Sequence, residues 1–261
     1  MAFAAWIMAR TPLAVAAGFS RAAAWLWWLF IPIRRSLAVR NFRSAFPGVP
    51  PGAPLRRMML ELILGYFELL HEERVPGSVV LTLEGMEPTA VRQAAGEGAL
   101  LYSGHLGSWD LIGALMSRQT RLKASIVVKI PSSKSAAALI ERIRTAFGLG
   151  LLPNKHGTMR RVLELLGQGE IVAFIIDQRF ARGVAVPFFG RPALTSPSIA
   201  VAAAKTGCPV HFVEYWREGT ARHRAVVSAP LPVTARSMLL TSRRSSIPGR
   251  GPHERRIEGH P

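Results

Sequence analysis

From residue 79 onward the chain alternates short apolar, β-branched runs with stretches of helical spacing, and this alternation restricts the fold more than any other feature. VVLTLEG (79–85) precedes a helical pattern over 87–95, GALLYSGH (98–105) one over 108–118, and KASIVVKI (123–130) one over 135–147; EIVAFIID (170–177) and PVHFVEYW (209–216) are further runs. Strands alternating with helices predict an α/β domain over 79–234, a mostly parallel sheet flanked by helices. In such sheets ligands bind outside the carboxyl ends of the strands. A core of this size needs no staple, and the single cysteine, Cys208, excludes an intrachain disulfide and any clustered-thiolate metal centre.

What flanks this domain has a different texture. Residues 1–34 are apolar and Trp-rich, but Arg10 and Arg21 limit the uncharged stretches to Thr11–Ser20 and Ala22–Ile33, short of the ~20 residues of a simple membrane span. The expectation is a helical anchor lying at the membrane interface. Trp25, Trp27 and Trp28 would sit at headgroup level, with Arg34, Arg35, Arg40 and Arg43 facing anionic lipid. A tilted span with Arg21 snorkelling and a helix packed on the domain's own core are the alternatives. A cleaved signal peptide fits less well, because the chain turns basic after Phe30 with no small-residue cleavage site. Residues 35–78 form a helical lead-in, with an amphipathic helix over 55–74 that stops at Pro76-Gly77. Residues 235–261 carry many Arg and few large apolar side chains, which predicts a disordered tail.

Lys and Arg number 33 against 16 Asp and Glu, so the partner is anionic: acidic lipid, phosphate-bearing substrate or nucleic acid. With 49% hydrophobic residues and no RNP-like or zinc-finger pattern, the balance favours an anionic membrane and excludes nucleic acid.

Two motifs carry the chemistry. In GALLYSGHLGSWDLIGAL a buried strand runs into Ser103-Gly104-His105, turns at Gly107 and enters a helix whose first turn holds Asp110. The carboxylate of Asp110 could fold back to one imidazole nitrogen and fix the tautomer, leaving the other nitrogen to take a proton from a hydroxyl. That spacing alone is weak, since His253 and Glu258 repeat it in the tail. Placement is what distinguishes His105. Asp177-Gln178 follow another buried strand directly and reach the same sheet edge, and Val186-Pro187-Phe188-Phe189-Gly190 suits a pocket wall that admits an acyl chain. Thr195 opens a small-residue helix, and Arg144 and Gly148 end another helix that could place a cation near a reacting carbonyl or phosphate.

GHLGSWDL, the Arg144/Gly148 helix, IDQRF…GVAVPFFGRPALT, AAAKTGCPV and VRNFRSAFPG near 39–48 together resemble the lipid A lauroyl/myristoyl acyltransferase family over about residues 5–230. The resemblance implies a glycerol-3-phosphate acyltransferase-like fold at the cytoplasmic face of the inner membrane. It also implies acyl transfer from acyl carrier protein or acyl-CoA to a lipid acceptor, with no cofactor. His105 would be the base, Asp110 its partner, and Gly107, Arg144, Gly148, Asp177, Gln178, Phe188, Gly190 and Thr195 substrate contacts. The family usually has Glu where Asp110 stands, whereas Asp is usual in related glycerolipid acyltransferases. The alternatives are therefore a lysophospholipid or phosphatidylinositol-mannoside-type acyltransferase, or a silent homologue that only binds membrane. No G-x-S-x-G elbow is present, so transfer would be direct, with backbone N–H groups near Gly107 or the Arg144 cation stabilising the oxyanion.

Overall fold

The computed structural model describes residues 2–129, 133, 137–138, 141–142, 145–181 and 183–231; Arg144, part of the predicted 135–147 helix and the 235–261 tail lie outside them. Four helices come first: α1 (Ala2–Arg10), α2 (Leu13–Phe30), α3 (Arg35–Ala45) and α4 (Gly52–Arg74). Pro12 separates α1 from α2, because its ring disfavours helical backbone at Thr11 and removes a donor, yet suits the entry to the next helix. The predicted anchor is thus two helices, both packed along α4. α2 is the one helix among the described residues long and apolar enough to cross a membrane, with 28% of it buried.

Helix α4 lies between this amino-terminal layer and the α/β body. It buries Leu64 and Phe67 against Ala16 and Ala17 of α2, while Leu69 and Leu70 join the main core. The expectation that three tryptophans sit at headgroup level needs correcting. Trp27 is 7% exposed and donates its indole N–H to the Ile33 carbonyl at 3.1 Å. Trp25 is half exposed under the Arg56 guanidinium, 3.8 Å from the ring centroid. The outward face of this layer thus keeps Trp25 but not Trp27, and includes Phe3, Trp6, Phe19, Leu26, Leu29, Phe30 and Ile33.

The body follows as β1 (Val80–Glu84), α5 (Glu87–Ala94), β2 (Ala99–Ser103), α6 (Trp109–Thr120), β3 (Ala124–Val128), β4 (Leu149–Pro153), α7 (Thr158–Gly167), β5 (Ile171–Ile175), β6 (Val184–Phe188), β7 (Arg191–Thr195), α8 (Ser198–Thr206), β8 (Val210–Gly219) and β9 (Arg222–Val227). Seven strands form one sheet in the order β1-β9-β8-β2-β5-β3-β4. All its pairings are parallel except β8 with β9, so β1 and β9 run against the other five. Helices cover both faces: α6 packs over the core of Leu101, Leu115, Ile171 and Val213, and α7 and α8 over that of Leu100, Val162, Val172 and Ala202. The mostly parallel sheet flanked by helices is the predicted architecture. β6 and β7 form a separate antiparallel hairpin, and α8 begins three residues beyond Thr195 because Pro197 supplies its entry.

Candidate active site

Register brings the site together. β2 and β5 are adjacent parallel strands, paired from Ala99 opposite Ile171 to Ser103 opposite Ile175. His105 and Asp177 each stand two residues beyond the last pair, so they emerge side by side at the carboxyl edge. Asp177 Oδ2 accepts the His105 backbone N–H at 2.7 Å, and Oδ1 lies 2.6 Å from His105 Nδ1. Gly104 permits this approach, since a Cβ there would stand 3.1 Å from Asp177 Oδ2. On the other side of the ring the Gln178 amide nitrogen is 3.2 Å from Nε2.

These contacts fix the tautomer of the neutral imidazole. A carboxylate at Nδ1 keeps the neutral ring's proton there, so Nε2 presents a lone pair, to which the Gln178 amide donates. Burial opposes the charge on Asp177, but the bonds from the His105 ring and backbone N–H prevail and hold its carboxyl below the usual range. Trp109 meets the imidazole edge-on with centroids 4.9 Å apart, and 31% of the His105 side chain remains exposed, enough for a substrate to reach Nε2.

The loop bearing His105 is gripped from beneath. The Gly104 carbonyl accepts the Leu106 N–H at 2.8 Å and the Tyr215 hydroxyl. That carbonyl and the His105 N–H belong to one peptide, so Tyr215 and Asp177 hold its plane from opposite ends. Burial, with the charges of Asp177 and Asp110 nearby, pushes the Tyr215 phenol upward against its bond with Ser103, so it stays a donor. Tyr215→Phe is expected to lower stability by about 1 kcal/mol, the net value of such a bond, read from the denaturation midpoint. An unchanged midpoint would mean that the bond carries nothing.

Five-residue spacing suggested Asp110 for the orienting role; the carboxylate on Nδ1 is that of Asp177. Asp110 occupies the first turn of α6, where its charge reaches Tyr215. Gly107 makes the turn as expected, at φ +44°. Gly148, at φ +74°, precedes the amino end of β4 and so lies at the edge of the sheet opposite His105. Phe188 and Gly190 belong to the β6–β7 hairpin, as does Thr195, and the neighbouring Phe189 and Arg191 dock on Phe46 and Ser44 at the carboxyl end of α3. Arg144 is outside the described residues.

An apolar cavity lies beneath α6, a location the sequence did not indicate. Trp109, Gly113, Met116 and Thr120 line one side, Leu101, Ile126, Leu149 and Ile171 the other, with Ser103 and Tyr215 at the His105 end. Neither Phe188 nor Gly190 contributes to its wall. The available signal was a glycine in the middle of an apolar helix face. Among the described residues no cluster of His, Cys, Asp and Glu could hold a metal ion.

Comparison with known proteins bears on what this arrangement serves. The family model described as bacterial lipid A biosynthesis acyltransferase matches residues 1–243. Two curated proteins described as phosphatidylinositol mannoside acyltransferase, from Mycobacterium tuberculosis strains CDC 1551 / Oshkosh and ATCC 25618 / H37Rv, are each 25% identical over 185 residues. The match covers 66% of this chain and 58% of theirs, so the chain spans little more than half the length of these relatives.

Proposed function

Because the chain belongs to the bacterial lipid A biosynthesis acyltransferase family, we propose that it transfers a fatty acyl group from a thioester, on acyl carrier protein or coenzyme A, to a hydroxyl of a membrane glycolipid. The observation that carries this reading is the Asp177–His105 pair beside an apolar cavity, with Trp109 both lining that cavity and touching the His105 ring. In the proposed reaction the acceptor hydroxyl takes the place at Nε2 that the Gln178 amide holds. His105 removes its proton as the oxygen attacks the thioester carbonyl, and Asp177 steadies the imidazolium. Asp110 adds a second negative charge at the amino end of α6. Collapse of the tetrahedral intermediate breaks the C–S bond, and the imidazolium returns the proton to the thiolate. The acyl chain lies beneath α6 throughout.

The acceptor is a lipid A precursor or a related glycolipid, and the mycobacterial relatives favour keeping a phosphatidylinositol-mannoside-type acceptor beside it. The test supplies purified protein with acyl-CoA or acyl carrier protein thioesters and three acceptors: a lipid A precursor, a phosphatidylinositol mannoside and a lysophospholipid. Products are read by mass spectrometry. Acylation of a glycolipid supports the reading; exclusive acylation of the lysophospholipid, or none at all, would sink it.

The amino-terminal layer is proposed to hold the enzyme on the cytoplasmic face of the inner membrane, where the acceptor is found. Its outward apolar side chains, with Phe30 72% and Ile33 69% exposed, adjoin Arg34, Arg35, Arg40 and Arg43. Phe30→Ser is expected to weaken binding to anionic vesicles about tenfold in a flotation assay, the equivalent of ~1.5 kcal/mol of lost apolar burial. Equal flotation of both proteins would remove Phe30 from the membrane contact.

A further inference from the structure

We infer that Gly113 sets the depth of the acyl cavity and so the length of fatty acid the protein accepts; this rests on the reading of that cavity as the acyl site. Glycine in a helix interior is a poor choice, since it gives up more backbone freedom than alanine and adds no contact. Gly113 is nevertheless the fifth residue of the twelve in α6, and its backbone φ is not in the region that demands glycine. Its surroundings do not demand it either: a Cβ there would meet only Leu149 Cδ2, at 3.8 Å. The one distinction of the position is that it faces the cavity, on the same helix face as Trp109, Met116 and Thr120. A missing side chain at that point is empty space inside the cavity, midway along its helical wall.

Helix geometry turns that placement into lengths. Trp109 stands against His105 at the reacting end, and Thr120 is the last helical residue lining the cavity, eleven positions on. At about 1.5 Å per residue the wall is about 16 Å long, and Gly113 lies about 6 Å from its start. A saturated chain with bonds of ~1.5 Å at tetrahedral angles advances about 1.25 Å per carbon. The full wall therefore accommodates about thirteen carbons, whereas an obstruction at Gly113 would leave room for about five.

The experiment measures binding of saturated acyl-CoAs from butanoyl to stearoyl to the full chain, by competition against a fluorescent fatty acid, for the wild type, Gly113→Ala and Gly113→Met. Wild-type affinity is expected to rise with chain length up to about thirteen carbons and then level off. Gly113→Met should level off at about five, and Gly113→Ala should fall between them with a raised melting temperature, because alanine favours the helix. Should Gly113→Met prove unfolded, the alanine variant decides alone, by whether its limit shortens. A folded variant with the wild-type length limit overturns the role of Gly113 and leaves the acyl reading standing. A wild type whose affinity does not respond to chain length overturns the acyl reading itself.

Discussion

His105→Ala is expected to lower acyl transfer by about 10²- to 10⁴-fold, the usual contribution of a general base, while leaving the fold unaltered. The two halves of that expectation have separate grounds. The loss in rate follows because the other described imidazoles at the sheet stand elsewhere: His211 and His223 are buried in β8 and β9, the His223 ring is bonded to Glu68, and His156 follows β4, three strands along the sheet from β2. The intact fold follows because the His105 side chain is 31% exposed and belongs to none of the apolar clusters. The Asp177 carboxylate left behind is 37% exposed and can be hydrated, so removing its partner strands no buried charge. The measurement is the initial rate of transfer into membranes, at equal amounts of protein with equal melting temperatures. Near-normal transfer would show that another group takes the proton.

That Asp177 meets the ring at Nδ1 shows what a sequence conceals. Asp110 lies five positions from His105 and Asp177 seventy-two, and without the strand order only the near residue can be argued into contact. The decisive fact is that β2 and β5 are neighbours in register although α6, β3, β4 and α7 intervene in the chain. Both strand-then-polar motifs were legible; their adjacency was not. Elements with clean periodicity were legible for the same reason, and β1, β2, β3, β5 and β8 fall where the apolar runs place them. The elements not foreseen are those with mixed patterns. LGLLP is short and broken by Gly and Pro, VAVPF and RPALT each contain a proline that suits only an edge or hairpin, and RHRAVV begins with three basic residues. Apolar turn-rich sequence such as the Val186–Gly190 run suggests a pocket wall, whereas the cavity beneath α6 is lined by a helix face that reads as ordinary core.

The same blindness hid the charged network that joins the amino-terminal layer to the entry of α6 beside the His105 loop, and from it follows the largest expected loss of stability. Glu68 of α4 is fully buried; it accepts bonds from Arg217, from His223 Nε2 at 2.9 Å and from the Ala221 N–H at 2.8 Å. Arg217, 6% exposed, also binds Glu61 and donates to the Ser108 hydroxyl at 3.0 Å, at the entry to α6. Burial opposes the Glu68 charge, yet the bonds from His223 and Arg217 hold its carboxyl below the ordinary value of 4.5. Glu68→Ala would leave Arg217 and the Ala221 N–H buried with too few partners, at a cost of about 3 kcal/mol or more. In a chain of this size that is a fall in melting temperature of roughly 6–12 °C. Because the folded carboxyl titrates below the unfolded one, its contribution is complete above pH 4.5 and disappears as pH falls through the lower, folded value. The wild type should therefore lose stability on acidification below 4.5 more steeply than Glu68→Ala, which no longer has that proton to bind. The double variant Glu68→Met/Arg217→Leu separates charge from packing: it should recover part of the loss, since an apolar pair leaves neither ion stranded. If Glu68→Ala melts within a degree of the wild type, or if the two acid limbs are parallel, the network does not hold α4 to the sheet as its geometry requires.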